Sequence, residues 1–209
     1  MSVQKGNVMA IDTLKITHAI MEGSKIRDEK GIIPLFGVYL SLYFTSYYNI
    51  VSFDFLSAMG KGRTEEAEKL LIGAAQECGY TTFHGIRRSW EWEELVQPML
   101  ETVDDQIEGF LTVATAFGWG GEMEMIDLIP GDRLHFRVHE SYESAGYLKR
   151  RGIAEAGKCY MLRGVAAAFM DLLYGDDYPD GCFTFSASEP FCRAKGDAFC
   201  EFIAEKSST

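Results

Sequence analysis

The chain has 209 residues, 47% of them hydrophobic, with 31 acidic against 20 basic side chains and a net charge of −11. Apart from Arg87-Arg88 and Lys149-Arg150-Arg151 its Lys and Arg residues are scattered singly, which argues against nucleic acid or an anionic membrane as partner. That length suits one compact unit with a substantial core and is short for two.

The opening "MSVQKGNVMAIDTLK" lacks the charged, apolar and small-residue order of a secretory signal, so a cytoplasmic location with reduced thiols is expected. Five cysteines, an odd number, weaken a closed disulfide framework and favour metal binding or plain core use. The stretch "IIPLFGVYLSLYFTSYYNIVSFDFL", residues 32–56, is long enough to span a bilayer. Asn49, Asp54, several Ser and Thr and its tyrosines argue instead for a buried or dimer-interface element. Residues 1–54 are read as a helical and aromatic segment packed on a domain spanning 55–209, one unit in all.

Next, "TEEAEKLLIGAAQECG" predicts a helix with Thr64 as N-cap, Glu65 and Glu66 in its first turn and an apolar stripe of Ala67, Leu70, Leu71, Ala74, Ala75 and Cys78. Gly79 is expected to stop it, and Cys78 to be a small buried hydrophobe. Beyond Pro98 a second helix is expected, starting near Thr102, Asp104 and Asp105, carrying Val103, Ile107, Phe110, Leu111 and Ala114, and ending at Gly118.

The period then changes. Met123 and Met125 alternate with glutamates, a Pro-Gly-Asp turn follows, and Leu134, Phe136 and Val138 alternate with His135, Arg137 and His139, which predicts an antiparallel hairpin with one buried face. His135 and His139 share a strand face, but roughly 13 Å of strand separates them, too far to chelate one ion. A solvated polar face is expected there, and His18 and His84 carry no signal. "KCYMLRGVAAAFMDLLYG" predicts a helix whose Gly164, Ala166, Ala167 and Ala168 permit close packing, with Cys159 at its start. "CFTFSASEPF" and "AFCEFIAEK" predict two strands joined through Lys195, Gly196 and Asp197. The order of elements means an α+β fold with an antiparallel sheet packed against helices. No repeat, low-complexity tract or dividing linker interrupts the chain.

Cys192 and Cys200 flank seven residues of turn, and Glu189 lies three residues before Cys192, so two thiolates and a carboxylate can converge. Cys159, at a helix N-terminus that favours the thiolate, is a sensible fourth ligand. Four such donors suit a tetrahedral zinc ion in a closed, structural site. Cys-x7-Cys is looser than a Cys-x2-Cys knuckle, so buried free thiols stand as the other reading.

The pattern Glu189-x2-Cys192-x4-Asp197-x2-Cys200, preceded by Cys159 on "CYMLRG", resembles the zinc-binding pattern of the 4-vinyl reductase domain family, which includes the ligand-sensing domains of phenol- and xylene-responsive transcription activators. "FGWGG" and "SYESAGYLKRRGIAEAGKCYMLRG" extend the resemblance, as the family's tryptophan-glycine turn and its strand leading to the first cysteine, over about residues 55–204. It implies a mixed fold shared with Golgi-transport and nitric-oxide-sensing ligand-binding relatives, a homodimer, and zinc held by Cys159, Glu189, Cys192 and Cys200. The segment between Cys159 and Glu189 is longer than in the phenol sensors and contains Cys182, which alternates with Phe183 and is read as a packing residue facing away from Glu189. Val138 stands where those sensors place a phenol-binding tryptophan, and their histidine has no counterpart, so phenol itself is not expected.

An apolar pocket between hairpin and helices would draw on Phe110, Trp119, Phe136, Val138, Tyr142, Tyr160 and Phe183 and suit an aromatic or hydrocarbon-like molecule. Each of these residues also has an ordinary core role. The reading is a zinc-containing small-molecule-binding or sensor domain without catalytic residues, acting alone or delivering its signal to a separate effector protein, since neither a Walker loop nor a DNA-binding helix-turn-helix is found. Two alternatives stand beside it. One is an enzyme or accessory in vinyl-group reduction of a tetrapyrrole, although "GWGG" follows a helix instead of opening one after a strand. The other is a pure interaction module like the transport-complex relatives.

Overall fold

The computed structural model describes residues 11–26, 28–29 and 31–207, so the reading of the first ten residues lies outside it. In chain order the elements are α1 (Thr13–Gly23), β1 (Ile33–Leu35), β2 (Val38–Leu40), α2 (Thr45–Met59), α3 (Thr64–Arg87), α4 (Asp105–Ala116), β3 (Gly121–Ile129), β4 (Arg133–Glu140), α5 (Tyr142–Arg151), α6 (Tyr160–Tyr174), β5 (Phe185–Phe191) and β6 (Cys200–Lys206). The fold is α+β, with an antiparallel sheet ordered β3-β4-β6-β5 and a separate hairpin of β1 and β2.

Strand alternation decides which face is dry. Leu134, Phe136 and Val138 pair with Ala204, Phe202 and Cys200 and are all buried. Helix α6 packs on this sheet, touching β5, β6 and β4. Its run from Gly164 through Asp171 is buried without interruption, as suits a helix enclosed between sheet and helices. On its other side lies α3, brought close by two glycines. A Cβ on Gly164 would run into the Ile72 carbonyl oxygen and the Gln76 nitrogen, and one on Gly79 would meet the Ala168 Cβ at 3.0 Å. Gly164→Ala is therefore expected to cost about 1–3 kcal/mol through forced separation of the helices. A urea midpoint equal to the parent's would show that the contact is not needed.

Those contacts correct the expected end of α3. Gly79 does not stop the helix, because its missing Cβ serves the crossing with α6 and the helix runs on to Arg87. Cys78 is exposed, since the buried face is set by Ala67, Ala75, Gln76, Gly79, Tyr80, Phe83 and Ile86. Thr64 opens α3, but its hydroxyl donates back to the Gly60 and Lys61 carbonyls instead of capping.

Phe83 of α3, Phe110 of α4 and Phe169 of α6 form the centre of the core, with ring centroids 4.7–5.2 Å apart. Trp92 and Trp119 extend this cluster. Each fully buried ring contributes about 1.5–3 kcal/mol.

The segment 32–56 becomes the β1–β2 hairpin and most of α2, and among the described residues no helix is long and apolar enough to cross a membrane. Tyr39, Leu42, Tyr43, Phe44 and Tyr47 are exposed. Asn49 on α2 is buried; its amide donates to the Tyr142 carbonyl, and the side chain sits where a Cβ on Gly146 would be.

Three further expectations need correction. The strand expected ahead of the first cysteine is helix α5, which the Ser141 hydroxyl caps at its start and Gly152 ends. The strand after α6 begins at Phe185, so Cys182 and Phe183 precede it in a turn, and Phe183 has a left-handed backbone with φ of 70°. Buried Asp171 sets this turn by accepting from the Phe183 and Phe185 backbone N–H groups and the Gln76 amide. His135 is not solvated but largely covered, its Nε2 lying 3.2 Å from a Glu201 carboxylate that also pairs with Arg137 at 2.7 Å.

Candidate metal centre

Cys159 precedes α6, Glu189 lies on β5, Cys192 follows it and Cys200 opens β6. One ligand atom from each lies within 4.8 Å of all the others. The three sulfurs are separated by 3.6 Å (Cys159 to Cys200), 4.0 Å (Cys159 to Cys192) and 4.0 Å (Cys192 to Cys200). A tetrahedron with metal–sulfur bonds of about 2.3 Å has its sulfurs about 3.8 Å apart. The thiols are free and already spaced as metal ligands, well beyond the roughly 2.0 Å of a disulfide.

The fourth donor completes the test. Glu189 Oε2 accepts the Cys159 N–H at 3.1 Å, while Oε1 is buried without a hydrogen-bond partner. A buried carboxylate oxygen left unpaired costs free energy that a cation would repay. Gly157 makes room for this carboxylate, since a Cβ there would overlap Oε2. The group thus fits a metal ion, and its donor set is predominantly soft.

Outer contacts hold the ligands. The Ser141 hydroxyl lies 3.2 Å from the Cys159 sulfur, and the Arg193 N–H points at the Cys200 sulfur at 3.4 Å. Asp197 accepts the Cys192 N–H at 2.7 Å, and Gly196 turns the chain with φ of 96°. Burial pushes the Cys159 thiol well above its ordinary value and, with the nearby Cys192 sulfur, raises the Glu189 carboxyl to about 9. The Cys200 thiol is instead held down to about 4 by its hydrogen bonds with the Cys159 and Cys192 sulfurs. A divalent cation at the centre would favour the deprotonated form of every donor.

Glu143 on α5 is a residue that sequence reasoning missed. It is fully buried, and it accepts from the N–H groups of Met161 (3.0 Å) and Leu162 (3.2 Å) and from the Tyr48 hydroxyl (2.9 Å). Cys159 makes no side-chain cap bond, so this carboxylate from another helix caps α6 beside the candidate metal ligand Cys159. Burial pushes Glu143 up to about 8 against the pull of these donors. The available signal was an acidic residue two places after Ser141, which caps α5 through the Glu143 and Ser144 N–H groups.

The proposed pocket residues are not all brought together. Phe110, Phe136, Val138 and Tyr160 are buried, and Trp119 and Tyr142 are half-buried. Phe110 and Trp119 each pack on Phe83, Phe136 lies against Phe202, and the Tyr160 hydroxyl donates to Glu68. Phe183 is 53% exposed and lines a separate surface recess with Tyr80, Tyr178 and Cys182.

Comparison with known proteins found no matching family model and no matching curated protein. Among solved structures, the phenol-responsive sensory domain of the transcription activator PoxR with phenol is similar, with a TM-score of 0.71 and 17% identity over 93% of this chain and 90% of that one. A trafficking protein particle complex subunit 3 from Naegleria fowleri, covalently bound to palmitic acid, is similar at a TM-score of 0.53 and 11% identity, covering 78% of this chain and 95% of that one. With its four-stranded sheet and buried α6 in place, the chain is similar in fold to both structures.

Proposed function

We propose that the chain is a small-molecule-binding sensor domain whose C-terminal hairpin is fastened to α6 by a structural zinc ion held by Cys159, Glu189, Cys192 and Cys200. The observation that carries the sensor reading is the likeness to the phenol-responsive sensory domain across 93% of the chain. Zinc is supported by three sulfurs at tetrahedral spacing, by a Glu189 carboxylate oxygen within 4.8 Å of them, and by the buried Oε1 that has no hydrogen-bond partner. Four protein donors fill the coordination sphere, so the ion's contribution is to stability, with no open position for activating water.

The ligand is apolar or aromatic and enters among the rings near Phe110, Trp119, Phe136 and Val138, where Val138 offers no hydrogen bond to a hydroxyl. Native mass spectrometry of freshly purified protein, followed by denaturing extraction, tests both parts. One zinc per chain with a retained apolar molecule is the expected result. A zinc-free spectrum removes the metal assignment, and a chain that retains no small molecule and binds none from a panel of aromatic compounds removes the sensor assignment.

The active form is a homodimer. The support is the exposed cluster of Tyr39, Leu42, Tyr43, Phe44 and Tyr47 leading into α2, an apolar surface of the kind that marks association. Sedimentation is expected to give a dimer at micromolar concentration, weakened by Phe44→Asp; a monomer for the parent would refute this.

A further inference from the structure

A recess of about 330 Å³ lies between the second half of α2, the start of α3, the last turns of α5 and the connection to α6. It shares no residue with the metal centre. On a chain of net charge −11, its lining contains Lys61, Arg151 and Lys158 and no carboxylate. Opposite in character are Phe53, Leu56 and Tyr147, which form an apolar wall, with Phe53 and Tyr147 edge to face at 4.9 Å.

Two of the cations are held in place by groups outside the lining or at its rim. Arg151 donates to Asp54 at 2.6 Å and to the Ser57 hydroxyl at 3.0 Å. Lys158 donates to Glu68 at 3.1 Å and to the Tyr160 hydroxyl at 3.2 Å, and its side chain is only 13% exposed. Lys61 has no ion-pair partner among the described residues. The recess therefore combines two cations already ordered, a third with its charge unspent, and an aromatic wall. Ordering the donors in advance lowers the entropic cost of binding.

We infer that this recess binds a small organic carboxylate with an apolar, ring-sized body, its acid group among Lys61, Arg151 and Lys158 and its body against Phe53 and Tyr147. A neutral hydrocarbon would leave the charged side unmatched, and a bare inorganic anion would leave the wall unused. The volume is at the lower end of small-ligand sites, which excludes a long acyl chain lying wholly inside.

The test uses the metal-loaded full chain, with phenylacetate, phenylacetamide and inorganic phosphate as probes, read by titration calorimetry and amide NMR shifts. Phenylacetate is expected to bind, to shift the signals of Lys61, Thr64, Tyr147 and Lys158, and to weaken with added salt. The amide and phosphate are each expected to bind about tenfold more weakly, and Lys61→Gln to weaken phenylacetate about threefold to tenfold. Lys61 makes no ion pair that the fold needs, so this variant keeps the structure, and Lys61→Glu is expected to abolish the response. No response to phenylacetate, equal affinity for acid and amide, equal affinity for acid and phosphate, or a parental response from Lys61→Glu would overturn the inference. The metal assignment fails on Cys192→Ser and this one on Lys61→Glu, so the two are separable.

Discussion

Cys192→Ser, or removal of the metal by a strong chelator, is expected to lower the melting temperature by about 10 °C or more relative to the loaded parent. The donors come from three separate places in the chain, Cys159 before α6, Glu189 on β5, and Cys192 and Cys200 around the turn into β6. An ion bound to all of them stabilises only the folded arrangement, because an unfolded chain presents no such tetrahedron. Loss of one thiolate also leaves the Glu189 carboxylate buried with an unpartnered oxygen. Cys78→Ser is the control, since that thiol is exposed and outside the cluster, and its effect should stay within about 0.5 kcal/mol. Full metal content and parental melting in Cys192→Ser would remove the site.

Glu143→Ala is expected to cost about 3 kcal/mol or more, because it strands two backbone N–H groups and a tyrosine hydroxyl in a buried place at once. Tyr48→Phe removes a single donor from the same carboxylate and is expected to cost about 1 kcal/mol. Denaturant unfolding with metal supplied in excess compares them. If Glu143→Ala unfolds no more easily than Tyr48→Phe, the carboxylate does not cap α6. The damage should extend to the metal, since Cys159 immediately precedes the uncapped turn; competition with a chromophoric chelator would then show faster zinc release at a protein concentration where the chain remains folded.

Much of the fold was legible because it followed period. The β3–β4 hairpin alternates along the sequence as it does in space, and Cys159, Glu189, Cys192 and Cys200 converge because a helix start and a hairpin bring them together. What escaped reading depends on contacts that no local pattern encodes. Gly79 looks like a helix stop until Ala168 of α6 is seen against it. Cys78 sits on a plausible apolar stripe for a shorter helix, but extension to Arg87 fixes a different buried face. Glu143 lies in "SYESAGYLKRR", expected as a strand, and its burial follows from the approach of α2 and the start of α6 to the helix that forms there. Phe183 fits a strand by alternation, whereas the buried Asp171 carboxylate draws its backbone into a turn.

The order β3-β4-β6-β5 leaves β3 and β5 as the sheet's outermost strands, and both are unfit to accept a further strand. Glu122 and Glu124 are exposed along β3, and its register shifts between Met125 and Asp127. On β5, Pro190 lacks an N–H to offer, and the pairing is broken between Ser188 and Phe191. Charge, proline and irregular pairing at an edge all oppose the edge-to-edge joining that leads to fibrils. Crowded copies of this chain are thus protected from growing as a continuous ribbon.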